Sequence, residues 1–135
     1  MSGKETQSIL KIITVDDSPI VAERLQSMLS EVENVEFVGN ARNIAAALAL
    51  IDQKKPHVVV LDIHLEEDMP EANGIDLLIS LRKKYPSLKI MMLTNLTGPH
   101  YRNACIAFGV DYFFDKSHDF DKIPGTLMEI IQSAN

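Results

Sequence analysis

Cysteine is almost missing from this chain. Cys105 stands alone among 135 residues, which excludes an internal disulfide and fits a reducing compartment. Its neighbours Ala104 and Ile106 predict a buried small hydrophobe rather than a nucleophile. Basic charge is also in deficit: 13 Lys and Arg against 19 Asp and Glu leave a net charge of -6. That balance argues against a nucleic-acid surface, which needs a basic stripe. No apolar run approaches the roughly eighteen residues of a membrane helix. The polar residues 1–8 hold no signal-peptide core. Linkers, internal repeats and low-complexity tracts are absent too. These absences predict a cytoplasmic chain with no membrane contact, residues 1–8 a disordered lead and residues 9–133 one domain.

What is present is ordinary globular material, 46% hydrophobic and 24% charged, enough for a real core. The most informative stretch is Val58-Val59-Val60-Leu61-Asp62. Three β-branched residues and a leucine read as a strand covered on both faces, as in parallel sheets packed between helices. The charge comes only at its end, where open parallel sheets bind ligands.

The rest of the chain repeats that unit. Residues 9–15, polar only at Lys11 and Thr14, read as a first buried strand ending in Asp16-Asp17. Ser18 caps a helix and Pro19 suits its first position, with Val21, Leu25, Met28, Leu29 and Val32 as the apolar stripe. Residues 35–41 form a second strand, bent at Gly39. Asn43 caps a helix with Ile44, Leu48 and Ile51 on one face, ended by Lys54, Lys55 and Pro56. After the third strand, residues 65–73 form an acidic loop. Gly74 opens a helix striped by Ile75, Leu78 and Leu81 and stopped by Pro86. Residues 88–93 make a fourth strand ending in Thr94-Asn95. Residues 99–108 make a short helix with Tyr101, Cys105 and Phe108 on one side, and residues 110–114 make a fifth strand ending near Lys116. A last helix carries Ile123, Leu127, Ile130 and Ile131, with Pro124 confined to its first turn. Five strands alternating with five helices predict an α/β, doubly wound parallel sheet.

Parallel strands bring Asp16-Asp17, Asp62, Thr94 and Lys116 to one edge of that sheet. Crowded carboxylates repel, and a divalent cation with a taste for hard oxygen, magnesium or manganese, relieves the repulsion. A phosphoryl group arriving at Asp62 then has its charge held by the metal, the Lys116 ammonium and the Thr94 hydroxyl. The Asp62 carboxylate can thus act as a nucleophile and form an acyl phosphate.

The sequence resembles the receiver domain of bacterial two-component response regulators, the family that includes the chemotaxis regulators. The resemblance rests on Val15-Asp16-Asp17-Ser18-Pro19, Leu61-Asp62-Ile63-His64-Leu65, Met69-Pro70 with Gly74-Ile75, Leu93-Thr94, and the run from Gly109 to Ser117, in the family's order. It implies a flavodoxin-like five-stranded sheet in the order 2-1-3-4-5. It also implies that Asp62 is the phosphoacceptor and itself one of the Mg2+ ligands, that Asp17 binds Mg2+ directly and Asp16 through water, and that the backbone carbonyl of His64 is a further ligand. Thr94 would be the switch hydroxyl, Lys116 the counter-charge and Phe113 the switch aromatic, with Tyr112 adjacent to confuse that assignment. Four positions depart from the family pattern: an acidic insertion around residues 66–69, Asn95 in place of a small residue, Ser117 where proline is common, and His64 near any attacking water.

The function this implies is a phosphorylation-driven switch with no output module among these residues. A histidine kinase or histidine phosphotransfer protein would supply the phosphoryl group. The output would be onward transfer or a protein contact near the fourth helix, fifth strand and last helix, where Tyr101, Arg102 and Lys122 are candidates. Monomer and phosphorylation-dependent dimer both fit. Two other readings fit less well. One is a receiver-like scaffold that is never phosphorylated. The other is a Mg2+-dependent phosphatase with an Asp nucleophile, but the haloacid dehalogenase type carries a second Asp where His64 stands.

Overall fold

The computed structural model describes residues 9–65 and 72–134. The expected disorder over residues 1–8 and the acidic insertion at residues 66–69 lie outside them. The described chain runs β1 Leu10–Val15, α1 Pro19–Leu29, β2 Val35–Ala41, α2 Ile44–Lys54, β3 Val58–Leu61, α3 Gly74–Lys84, β4 Lys89–Thr94, α4 Pro99–Ala107, β5 Tyr112–Asp115, a 3-10 turn Phe120–Lys122 and α5 Ile123–Ala134. All strand pairings are parallel, in the order β2-β1-β3-β4-β5.

Strand side chains alternate between faces, so a wholly apolar strand feeds two cores at once. Val59 and Leu61 of β3 join Leu77, Leu78, Leu81, Ile51 and Cys105 under α2, α3 and α4. Val58 and Val60 join Leu25, Leu29, Ile123 and Leu127 under α1 and α5. This sandwich explains why β3 has no polar residue until Asp62.

Helix starts follow from short polar side chains that accept orphan N–H groups. Ser18 Oγ accepts from Val21 N at 3.3 Å with Pro19 next, and Asn43 Oδ1 accepts from Ala46 N at 2.8 Å. The cap of α3 is Asn73, the last residue of the expected acidic loop. Its Oδ1 accepts from Ile75 N at 2.8 Å while Asp76 Oδ2 accepts from Asn73 N at 2.7 Å, a reciprocal box legible in the Asn73-to-Asp76 spacing. At its far end, α2 closes on Lys55 in the left-handed conformation at φ +50°.

Some expectations need correction. Val32 lies beyond the end of α1 at Leu29 and so cannot extend its stripe. Phe108 terminates α4 and is 45% exposed, so it does not share the buried side of Cys105. β5 starts at Tyr112 rather than at residue 110, because Gly109 at φ +93° first turns the chain. At Gly39 the expected bend is a bulge: the β1–β2 register passes from Ile12↔Phe37 to Ile13↔Gly39, leaving Val38 unpaired in the count.

Candidate functional site

Three strands deliver one residue each to the carboxyl edge, tied by one further backbone rung. Asp16 N–H donates to Ala41 O at 2.9 Å, Asp62 N–H to Val15 O at 3.0 Å, and Lys116 N–H to Thr94 O at 3.0 Å. These bonds extend the parallel ladder just past β1, β3 and β5, so the side chains stand on the rigid sheet. They meet at one point. Lys116 Nζ lies 2.8 Å from Asp16 Oδ2 and 2.7 Å from Asp62 Oδ2. All three are largely withdrawn from water: side-chain exposure is 12% for Lys116, 3% for Asp16 and 6% for Asp62.

Burial dominates the electrostatics. Desolvation pushes the Asp16 carboxyl above the usual carboxylate range, against the Lys116 and Ser18 hydrogen bonds that hold it down; the charge of Asp62 adds to the rise. For Lys116, burial lowers the pKa. The hydrogen bonds to Asp16 and Asp62 outweigh it and leave the ammonium above its ordinary value.

Asp17 and His64 sit beside this trio. His64 Nδ1 is 3.9 Å from Asp17 Oδ2, its side chain 79% exposed, while its backbone N–H makes a long 3.4 Å bond to Asp62 Oδ1. His64 therefore faces the acidic pair as well as solvent. Thr94 is fully buried at the end of β4, and its Oγ1 accepts from Leu96 N at 3.1 Å. Phe113 packs partly against the core below α4, with the Arg102 guanidinium 5.3 Å from its ring centre. Tyr112 belongs to the opposite face, packing toward the α1–α5 core and stacking on Phe114 at 6.1 Å. The two neighbouring aromatics are thus separated by the sheet. Tyr101 is half-buried against the same core as Phe113, and Lys122 pairs with Asp119 at 2.9 Å.

Other departures acquire physical reasons. Ser117 N–H donates to Asp115 Oδ1 at 2.8 Å, a bond proline could not make. Asp115 also pairs with His118 at 3.0 Å, which lowers its pKa and raises that of His118. Asn95 is exposed and lines a cleft of about 520 Å³ beside Lys116, with Arg24, Ser117 and His118.

The sequence does not reveal what Gly74 does at the site. Gly74 N–H donates to Ile63 O at 2.6 Å, and a Cβ there would lie 2.0 Å from Asp62 O. Only a residue without a side chain lets α3 abut the end of β3. The glycine was legible as a helix start; its contact with Asp62 was not.

Asp16, Asp17 and Asp62 against Lys116 leave two negative charges, three minus one, at a mostly buried edge. Hard oxygens with that surplus fit a divalent cation such as Mg2+. Among the described residues, no three His, Cys, Asp or Glu side chains stand close enough to ligate one ion. Lys116 lies between Asp16 and Asp62, and Asp17 is turned toward His64.

Comparison with known proteins agrees with this fold. Residues 12–128 match the response regulator receiver domain. The chain is 34% identical over 126 residues to protein-glutamate methylesterase/protein-glutamine glutaminase 1 of Carboxydothermus hydrogenoformans, covering 92% of this chain and 36% of that protein. It is 31% identical over 133 residues to the corresponding Bacillus subtilis protein, covering 93% and again 36%. The chain therefore spans about a third of these relatives. Among solved structures, the response regulator domain of Thermotoga maritima CheB superposes with TM-score 0.76 at 26% identity, covering 93% of this chain and 96% of that one. The isolated REC domain of Salmonella enterica RcsB, solved with the phosphomimetic BeF3-, gives 0.80 at 25% identity, covering 89% and 88%.

Proposed function

The chain belongs to the response regulator receiver domain family, and from that premise we propose that Asp62 is its phosphoacceptor and Lys116 the cation that makes phosphorylation possible. Receiver domains serve phosphorylation-dependent signalling in two-component systems, act with histidine kinases or phosphotransfer proteins, and generally bind Mg2+ at the phosphorylated site. The enzymatic activity of the methylesterase relatives lies in a separate domain, so this stretch is read as a signalling unit.

The single observation that carries the reading is the Lys116 ammonium held between Asp62 and Asp16 at 2.7 and 2.8 Å. In the transfer, an Asp62 oxygen attacks phosphorus, a P–O bond forms, and the P–N bond to the donor histidine breaks with its electron pair going to nitrogen. Lys116 releases its hold on carboxylate oxygen in part and takes up a phosphoryl oxygen, so charge moves without an uncompensated buried anion. Asp16, Asp17 and the His64 carbonyl are the groups that would hold Mg2+, which when bound spreads the phosphoryl charge. Thr94 Oγ1 accepts from Leu96 N, which leaves its O–H as the donor for a phosphoryl oxygen on Asp62. A shift of Thr94 toward the phosphoryl group biases the surface of α4, β5 and α5 that a partner reads. Among the described residues no helix is long and apolar enough to cross a membrane.

Incubation with Mg2+ and acetyl phosphate, followed by intact mass, tests this. A labile phosphoryl increase that disappears in Asp62→Asn supports the switch. An unchanged mass supports the scaffold, and continuous turnover of phosphodonors supports a phosphatase.

A further inference from the structure

A loop does not by itself hold two carboxylates still, and Asp16 and Asp17 follow β1 on a loop. Their fixture lies on the neighbouring strand. The bulge at Gly39 shifts the register so that Asn40 stands directly opposite Thr14. Thr14 is fully buried, and its Oγ1 donates to Asn40 Oδ1 at 2.6 Å. With its oxygen committed to that hydroxyl, the amide presents Nδ2 to the backbone carbonyl of Asp16 at 3.3 Å. The opposite amide orientation would set oxygen against oxygen. Asp16 N–H is meanwhile bonded to Ala41 O at 2.9 Å, and Asp16 Oδ1 accepts from Ser18 N at 2.8 Å. Among the described residues, the bond from Asn40 is the one that acts on the peptide unit joining Asp16 to Asp17. Rotation of that plane would swing the Asp17 carboxylate, which has no rung of the sheet of its own.

We propose that Asn40, oriented by Thr14, is a positioning residue for the cation site: it locks the Asp16–Asp17 peptide plane and thereby the place of the Asp17 carboxylate. This rests on the reading above that Asp16 and Asp17 hold Mg2+. Groups behind metal ligands typically set affinity by about 10- to 100-fold, because they fix the ligand's direction before the ion arrives. Asn40 bonds the backbone of Asp16 rather than a ligand carboxylate, so its effect is on binding and not on the bond-making step.

The test is calorimetric titration of the unphosphorylated protein with MgCl2, well below the melting temperature. Asn40→Ala is expected to weaken Mg2+ binding about tenfold. Thr14→Val keeps the buried volume and removes the orienting hydroxyl, so it serves where Asn40→Ala fails to fold; several-fold weaker binding is expected. Val38→Ala, on the same strand, lowers stability while leaving both hydrogen bonds, and is expected to bind Mg2+ as the wild type does. In a double-mutant cycle the Thr14 and Asn40 effects should be non-additive, since they act through one amide. Wild-type affinity in both Asn40→Ala and Thr14→Val overturns this inference alone. An equal loss in Val38→Ala also overturns it, by making the effect one of stability. A wild type that binds no Mg2+ overturns the reading of the site and this inference with it.

Discussion

Lys116 is the shared counter-charge of two buried carboxylates, and its removal leaves both without one. Lys116→Met is therefore expected to cost on the order of 3 kcal/mol at neutral pH, measured by urea unfolding, because a broken buried pair is worse than none. The pH dependence follows from the two shifts. The raised pKa of Lys116 gives stability that is complete below its ordinary 10.5 and is lost as pH rises through the folded value. Asp16, also raised, favours the fold below its ordinary 3.8 and loses that contribution as pH rises through its folded value. The deficit in Lys116→Met should accordingly shrink in mild acid, where Asp16 takes up a proton; a deficit constant with pH contradicts the assignment. Gly74 gives a second test. With a Cβ placed 2.0 Å from Asp62 O, Gly74→Ala must push α3 away from the end of β3. A loss of about 1–3 kcal/mol is expected, together with slower phosphorylation from acetyl phosphate, while α-helix content by circular dichroism stays unchanged.

At the scale of elements, the sheet's lower connections are knotted by one side chain. Arg82, in the last turn of α3, donates to Gly109 O at 2.7 and 3.1 Å, to Leu88 O at 2.7 Å, to Pro86 O at 3.0 Å and to Asp111 Oδ2 at 2.8 Å. Asp111 Oδ2 in turn accepts from Ile90 N at 2.8 Å. One planar fork thus joins the α3–β4 and α4–β5 turns. Arg82→Ala should destabilise by about 2 kcal/mol through unsatisfied carbonyls, and Arg82→Lys should recover only part, since one ammonium cannot reach these acceptors together. Equal midpoints for Arg82→Ala and wild type would contradict this. The knot also shows where sequence reasoning stops. Ser18-Pro19, Asn43 and the stripe Ile123, Leu127, Ile130, Ile131 act within a turn or two of themselves, so period and cap chemistry reveal them. Arg82 and Asp111, like Thr14 and Asn40, meet only because the strand order brings distant segments together. Phe108 misled for the opposite reason: its spacing suited the buried side, but the chain leaves the helix there and turns through Gly109.

For the whole molecule, the site was legible because a parallel sheet converts position along each strand into position in space. Asp16, Asp62, Thr94 and Lys116 each follow or end a parallel strand, and so share an edge once the order β2-β1-β3-β4-β5 is known. The order itself came from family resemblance, since hydrophobic pattern alone leaves several arrangements of five strands open. What makes the edge chemical is the mismatch between three carboxylates and one ammonium, a surplus that a phosphoryl group and its cation together can use. The most direct test is to treat the protein with acetyl phosphate and Mg2+, reduce it with borohydride, and map the product by peptide mass spectrometry. An aspartyl phosphate is reduced to homoserine at the modified position. The account predicts homoserine at position 62, dependent on Mg2+ and strongly reduced in Lys116→Met; homoserine at another carboxylate, or none in the wild type, would contradict it.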